Sequence, residues 1–171
     1  EEAFGPVNVL INNAGVAILE PLEGMTPKTY RKIIEINQTS AFLGMHYIIP
    51  SMKKAGGGSI INISSIAGLR GVENHIAYSA SKFAMVGMTK VAALELAKYK
   101  IRANTIHAGA IKTAMVSENK DAEKIVAASV PLQRMGETKE VTNLVFFLAS
   151  DESTYSTGGE FLVEGGILSG V

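Results

Sequence analysis

The stretch "VNVLINNAG", residues 7–15, is a short run of apolar and β-branched residues closed by Asn-Ala-Gly. Such a run fits a strand buried on both faces of a parallel sheet, with the chain leaving it through a tight loop. Working outward, the pattern recurs. "SIINIS" (59–64) and "IRANTIH" (101–107) read as further buried strands, and "EFLVEGG" (160–166) as a fourth. Between them lie segments of helical period. Thr26 offers an N-cap, Pro27 a first helical residue and Pro50 an end, which predicts one helix over 26–50. Apolar positions recurring at three and four predict a second helix over 74–98, and a third is expected at about 138–149. Residues 109–136 read as a looser stretch. Strands alternating with helices argue for an α/β fold with a doubly wound parallel sheet and right-handed crossovers.

Composition narrows the function classes. The 171 residues are enough for one domain with a substantial core. Sixteen basic and sixteen acidic side chains cancel, so no global field draws the chain to nucleic acid or an anionic membrane, and a small neutral ligand is the expected partner. The sequence has no cysteine, which removes disulfides, thiolate metal sites and thiol nucleophiles and suits a cytoplasmic location. No metal site is expected. No apolar stretch reaches the length of a spanning helix.

In sheets of this kind ligands bind beyond the carboxyl ends of the strands, so residues just after a strand are candidates for chemistry. Asn13, Ala14 and Gly15 follow the first strand, and Ser64 and Ser65 close the second. Gly109 leads out of the third toward Ile111 and Thr113. Asn37 sits inside a helix, where an amide competes with the backbone. "AYSASK" (77–82) puts Tyr78 one helical turn before Lys82. Each feature alone has an ordinary explanation as a turn, a cap, a core amide or a surface pair. Together they fall in one order at the ends of consecutive strands of one sheet.

The segments "VLINNAG", "NISSIAG", "YSASKFA", "IRANTIHAG" and "LASDESTYSTGGEFLVEGG" resemble the short-chain dehydrogenase/reductases, in the branch that uses Y-x-x-x-K. The likeness covers nearly the whole chain and looks closest to hydroxysteroid and alicyclic-alcohol dehydrogenases. It implies a catalytic tetrad of Asn37, Ser65, Tyr78 and Lys82. Asn13, Ala14, Gly15, Gly109, Ile111 and Thr113, with Tyr78 and Lys82, would lie along a nicotinamide cofactor. The implied reaction interconverts a secondary alcohol, such as a hydroxysteroid or cyclic alcohol, and its ketone. Tyr78 would serve as acid and base, its pKa lowered by the Lys82 ammonium. Lys82 would also hold the nicotinamide ribose, Ser65 the substrate oxygen, and Asn37 a water linking Lys82 to solvent.

Two departures stand out. Ala108 occupies a place where the family usually has Pro. The family's glycine-rich pyrophosphate turn and the residue that decides between NAD and NADP have no counterpart here, and the chain begins without Met almost directly in a strand. The expectation is therefore that residues 1–171 are the C-terminal two-thirds of one Rossmann domain, inactive without the preceding strands. The resemblance tilts the expected cofactor to NAD(H) over NADP(H). Met115, Val116, Ile125, Val126 and Val130 are expected to give the substrate an apolar surface. Apolar positions on several sides of the two long helices, around Phe42, Ile48, Phe83 and Val91, imply a homodimer or homotetramer. The alternatives are a 3-oxoacyl-carrier-protein reductase and a catalytically silent binding or scaffold homologue.

Overall fold

The structure, a computed structural model, describes residues 1–113 and 120–170, with the side chains of 120–122 left aside. Met115 and Val116 lie outside the described residues. Four parallel strands pair in sequence order: β1 (Val9–Asn12), β2 (Gly58–Ser65), β3 (Ile101–Ala108) and β4 (Glu160–Val163). Ile61 stands opposite Ile11 on one side and Asn104 on the other, and Ile106 opposite Phe161.

Helices cover both faces, because β2 and β3 are apolar on both. On one face α2 (Ser40–Lys54) and α3 (Ile76–Leu96) bury Met45, Met52, Ala93 and Leu96 against Ile60, Ile101 and Ala103. On the other, α5 (Thr138–Ala149) packs Leu148, Val141 and Val145 on Ile61, Ile63 and Ile106. A polar layer crosses the first face. Asn12 donates to Asn62 at 2.7 Å, Asn62 to Thr89 at 2.8 Å, and Thr105 to Thr89 at 2.9 Å. With every member partnered, the layer fixes the register of three strands against α3 at little desolvation cost.

Several boundaries differ from the sequence expectation. The helix expected over 26–50 begins as foreseen, with Thr26 capping α1 (Pro27–Ile34) through the Thr29 N–H. It then opens into a π-helical turn over Glu35–Thr39 and continues as α2 through Pro50 to Lys54. Proline removes one amide donor there, but fully buried Met52 keeps the last turn on the sheet. The second long helix starts at Ile76, because Asn74 takes a left-handed backbone (φ +63°) and ends the preceding loop. The looser stretch contains a further helix, α4 (Lys120–Ala128).

Candidate functional site

The carboxyl ends of β1, β2 and β3 open onto one cleft of about 1090 Å³. Asn13, Gly15, Ser65, Tyr78, Lys82, Gly109, Ile111 and Thr113 all line it. Ala14 is exposed and outside its wall, and Asn37 lies behind it, fully buried in the π-helical turn. π-Helical turns are rare and concentrate at functional sites.

Both ends of the Asn37 amide are engaged. Its Oδ1 accepts from the Val16 N–H at 2.8 Å, and its Nδ2 donates to the Val16 carbonyl at 2.9 Å and to Ser81 Oγ at 3.1 Å. It therefore staples the loop after β1 to α3. Gly15 sits in the angle of that staple. A Cβ there would stand 3.3 Å from Asn37 Oδ1, tighter than an ordinary contact, and 3.7 Å from Lys82 Nζ, so the missing side chain eases the backbone's approach to the amide.

Lys82 is buried at the first turns of α3. Its Nζ donates to the Ile63 carbonyl at 2.7 Å and lies 3.7 Å from Met85 Sδ, leaving further N–H groups for the cleft. Nζ is 5.6 Å from the centre of the Tyr78 ring. Burial lowers its pKa to about 8. The expectation that this ammonium lowers the Tyr78 pKa is not met in the free protein. Burial raises the phenol above its ordinary 10, and the Ser65 hydroxyl offsets only part of that. Burial is the larger effect, so Tyr78 is a neutral phenol near neutral pH.

Ser65 closes β2. Its Oγ accepts from the Ala67 N–H at 3.1 Å, which caps the 3₁₀ turn Ile66–Gly68, and its hydroxyl is turned to the Tyr78 phenol. Gly109 packs on β4: a Cβ would come within 2.7 Å of Glu164 Cα. Ile111 is nearly buried against Gly136, with Lys112 N–H donating to Gly136 O at 2.9 Å, whereas Thr113 is exposed at the rim. Of the described residues in the expected apolar substrate surface, Val126 alone lines the cleft. Ile125 points to solvent at 74 % exposure, and Val130 is core, packed where a Gly165 Cβ would fall.

Sequence reasoning missed His107. It is fully buried at the end of β3, with Nδ1 3.0 Å from the Ser65 carbonyl and Nε2 3.1 Å from Glu160 Oε2, while Glu160 Oε1 pairs with Lys90 at 2.7 Å. The chain braces Ser65 from behind. A histidine at the carboxyl end of a strand, where ligands bind in such sheets, is the available signal.

A nicotinamide cofactor is the group this arrangement fits. Gly15 lets the backbone come close, Lys82 offers unused donors suited to vicinal hydroxyls, and Ser65 and Tyr78 bring two hydroxyls to the same wall. Among the described residues there is no cluster of His, Asp and Glu able to hold a metal.

Parallel strands flanked by helices, with Ser, Tyr and Lys gathered at their carboxyl ends, define a Rossmann-like α/β protein with a nucleotide-type cleft. Similarity to known proteins agrees. A family model described as enoyl-(acyl carrier protein) reductase matches residues 1–168. The chain is 45 % identical to a trans-4-hydroxycyclohexanecarboxylate dehydrogenase of Sinomonas cyclohexanicum, over 99 % of this chain and 63 % of that protein. It is 47 % identical to a 3-alpha-(or 20-beta)-hydroxysteroid dehydrogenase of Mycobacterium tuberculosis, over 99 % of this chain and 64 % of the relative. A solved structure described as ElxO with NADP bound superposes with a TM-score of 0.93 at 34 % identity, covering 98 % of this chain and 70 % of that one. The chain belongs to the short-chain dehydrogenase/reductase family. It spans less than two thirds of the length of those two curated relatives.

Proposed function

We propose that these residues form the C-terminal two-thirds of one Rossmann domain in an NAD(P)-dependent oxidoreductase that interconverts a secondary alcohol and a ketone. The observation that carries this reading is Tyr78 and Lys82 one turn apart on α3, both facing the cleft into which Ser65 also points. The relatives named for hydroxysteroids and a hydroxycyclohexane acid support a hydroxysteroid or cyclic alcohol as substrate.

In this reading the bound nicotinamide supplies or accepts hydride. Tyr78 Oη gives its proton to the carbonyl oxygen in reduction and takes the hydroxyl proton in oxidation. A neutral phenol in the free protein suits the acid role directly. Ser65 Oγ, already accepting from Ala67, donates its hydrogen to the same oxygen. Lys82 holds ribose hydroxyls with the N–H groups that Ile63 leaves unused, and Asn37 fixes Gly15 and Val16 beside them. Asn13, Gly109, Ile111 and Thr113 form the remaining cofactor wall, Ala14 lies outside it on the same loop, and a water between Asn37 and Lys82 belongs to the same reading. NAD(H) is preferred on the hydroxysteroid likeness, although the ElxO structure carries NADP.

The half-exposed Phe42, Phe83 and Val91 on α2 and α3 support assembly into a homodimer or homotetramer. A cytoplasmic location completes the reading, in keeping with a cysteine-free sequence; among the described residues no helix is long and apolar enough to cross a membrane. The test uses the complete protein with cyclic secondary alcohols and hydroxysteroids, following NADH or NADPH formation. Turnover of at least one such alcohol is expected, and none with either cofactor contradicts the reading.

A further inference from the structure

Between Ser65 and Tyr78 the chain builds one wall of the cleft, and its charge is not balanced. Among the described lining residues the ionisable side chains are Arg70, His75, Tyr78 and Lys82, and none is a carboxylate. Lys82 has a structural acceptor in Ile63. Arg70 has none: its Nε is buried without a hydrogen-bond partner, and no ion pair forms to its guanidinium among the described residues. Leaving a guanidinium N–H dry and unpaired is costly, and the cost is recovered if a ligand supplies the acceptor.

The placement of Arg70 is not loose. The 3₁₀ turn after Ser65 accepts the Arg70 N–H at Ile66 O, 3.1 Å away. The same turn is pressed onto the catalytic helix at Gly68, where a Cβ would meet Ser64 Oγ at 2.5 Å and the Lys82 carbonyl at 2.9 Å. Arg70 is thus carried on backbone locked to both Ser65 and Lys82. His75, further along the same wall, meets the Tyr78 ring edge-on with centroids 6.1 Å apart, so this wall adjoins the reacting hydroxyl. The rest of the wall is apolar, with Leu19, Ile66, Ala67 and Val72. Glu20, whose Oε2 is likewise buried without a partner, bridges to His75 through its backbone but does not line the cleft.

We infer that Arg70 is a specificity-determining residue that binds a carboxylate carried by the substrate, so that the enzyme acts on an alicyclic keto or hydroxy acid. A planar guanidinium takes a carboxylate through two parallel N–H···O bonds, while the apolar wall covers the ring between that anion and the carbon at Tyr78. The inference rests on the alcohol–ketone reading above.

The experiment measures kcat/KM of the complete protein for 4-oxocyclohexanecarboxylate and for its neutral carboxamide, in the wild type, Arg70→Ala and Arg70→Lys. The carboxylate should be favoured by about tenfold or more, as expected of a charged hydrogen bond. That ratio should collapse toward one in Arg70→Ala and return in part in Arg70→Lys. A wild-type ratio near one, or a ratio that Arg70→Ala leaves intact, overturns the inference. So does a loss of NADH or NADPH affinity in Arg70→Ala equal to the loss in the ratio, which would assign Arg70 to the cofactor. If neither ketone is turned over, calorimetry with cyclohexanecarboxylate and cyclohexanecarboxamide decides Arg70 separately, and the oxidoreductase reading is decided by the wider set of alcohols above. Tighter binding of the acid that disappears in Arg70→Ala sustains it; equal binding in the wild type overturns it.

Discussion

Asn37 holds both backbone polar groups of Val16, accepting from its N–H at 2.8 Å and donating to its carbonyl at 2.9 Å. One buried amide thereby fixes the loop that follows β1, and it does so from a π-helical turn whose extra residue turns the side chain into position. Replacing it with alanine orphans two backbone groups and the Ser81 contact together.

Asn37→Ala should therefore lower stability by about 1–3 kcal/mol, the range for leaving a buried polar group unsatisfied. In the complete protein it should also weaken cofactor binding, because Gly15 and Val16 lose their anchor. Urea unfolding and a fluorescence titration with NADH or NADPH check the two parts. Unchanged stability would mean that the Val16 bonds add nothing.

Gly109→Ala tests the packing of the third strand's exit. A methyl group would come within 2.7 Å of the Glu164 Cα, a backbone atom that cannot swing away. The expected cost is about 1–3 kcal/mol, typical of overpacking, visible as a lower thermal midpoint. Gly87→Ala, on α3 with open space around its Cβ, is the matched control and should be neutral or mildly stabilising.

The pH dependence follows from Lys82. Its folded value of about 8 lies below its ordinary 10.5, so between those two values the unfolded chain binds more protons. The penalty for burying the charge is fully present below about pH 8 and is relieved as pH rises toward 10.5, so this group stabilises the fold with rising pH. Catalysis should run the other way in the reducing direction. As the ammonium is lost above about pH 8, kcat/KM for a ketone should fall, and in Lys82→Arg that fall should vanish while the overall rate drops, since guanidinium stays charged but has a different shape. A profile flat through about pH 7 to 9 in the wild type would contradict this.

How much of this was legible beforehand differs by residue. β2 and β3 carry β-branched isoleucines in short runs between turn signals, and Tyr78 and Lys82 sit in a long periodic segment at helical spacing, so strand, helix and pair can all be read locally. The π-helical turn was not legible, because inserting one residue in a helix leaves no compositional mark. α4 is amphipathic but only nine residues long and of mixed polarity, so it does not stand out from the loop around it. The role of His107 depends on Ser65 and Glu160, which are 42 and 53 residues away, and only the pairing of β3 with its neighbours brings them together. The shift at Tyr78 was misjudged for a similar reason. A sequence shows the cation one turn away but not the burial that raises the phenol's pKa.

The most direct test of the account is Tyr78→Phe in the complete protein, which keeps the ring and its packing and removes only the proton. Reduction of a cyclic ketone by NADH or NADPH should slow by about 10²–10⁴, the usual worth of general acid catalysis, with cofactor affinity within a few-fold of the wild type. A rate reduced by less than about tenfold would show that another group supplies the proton and would contradict the assignment of Tyr78 as the acid.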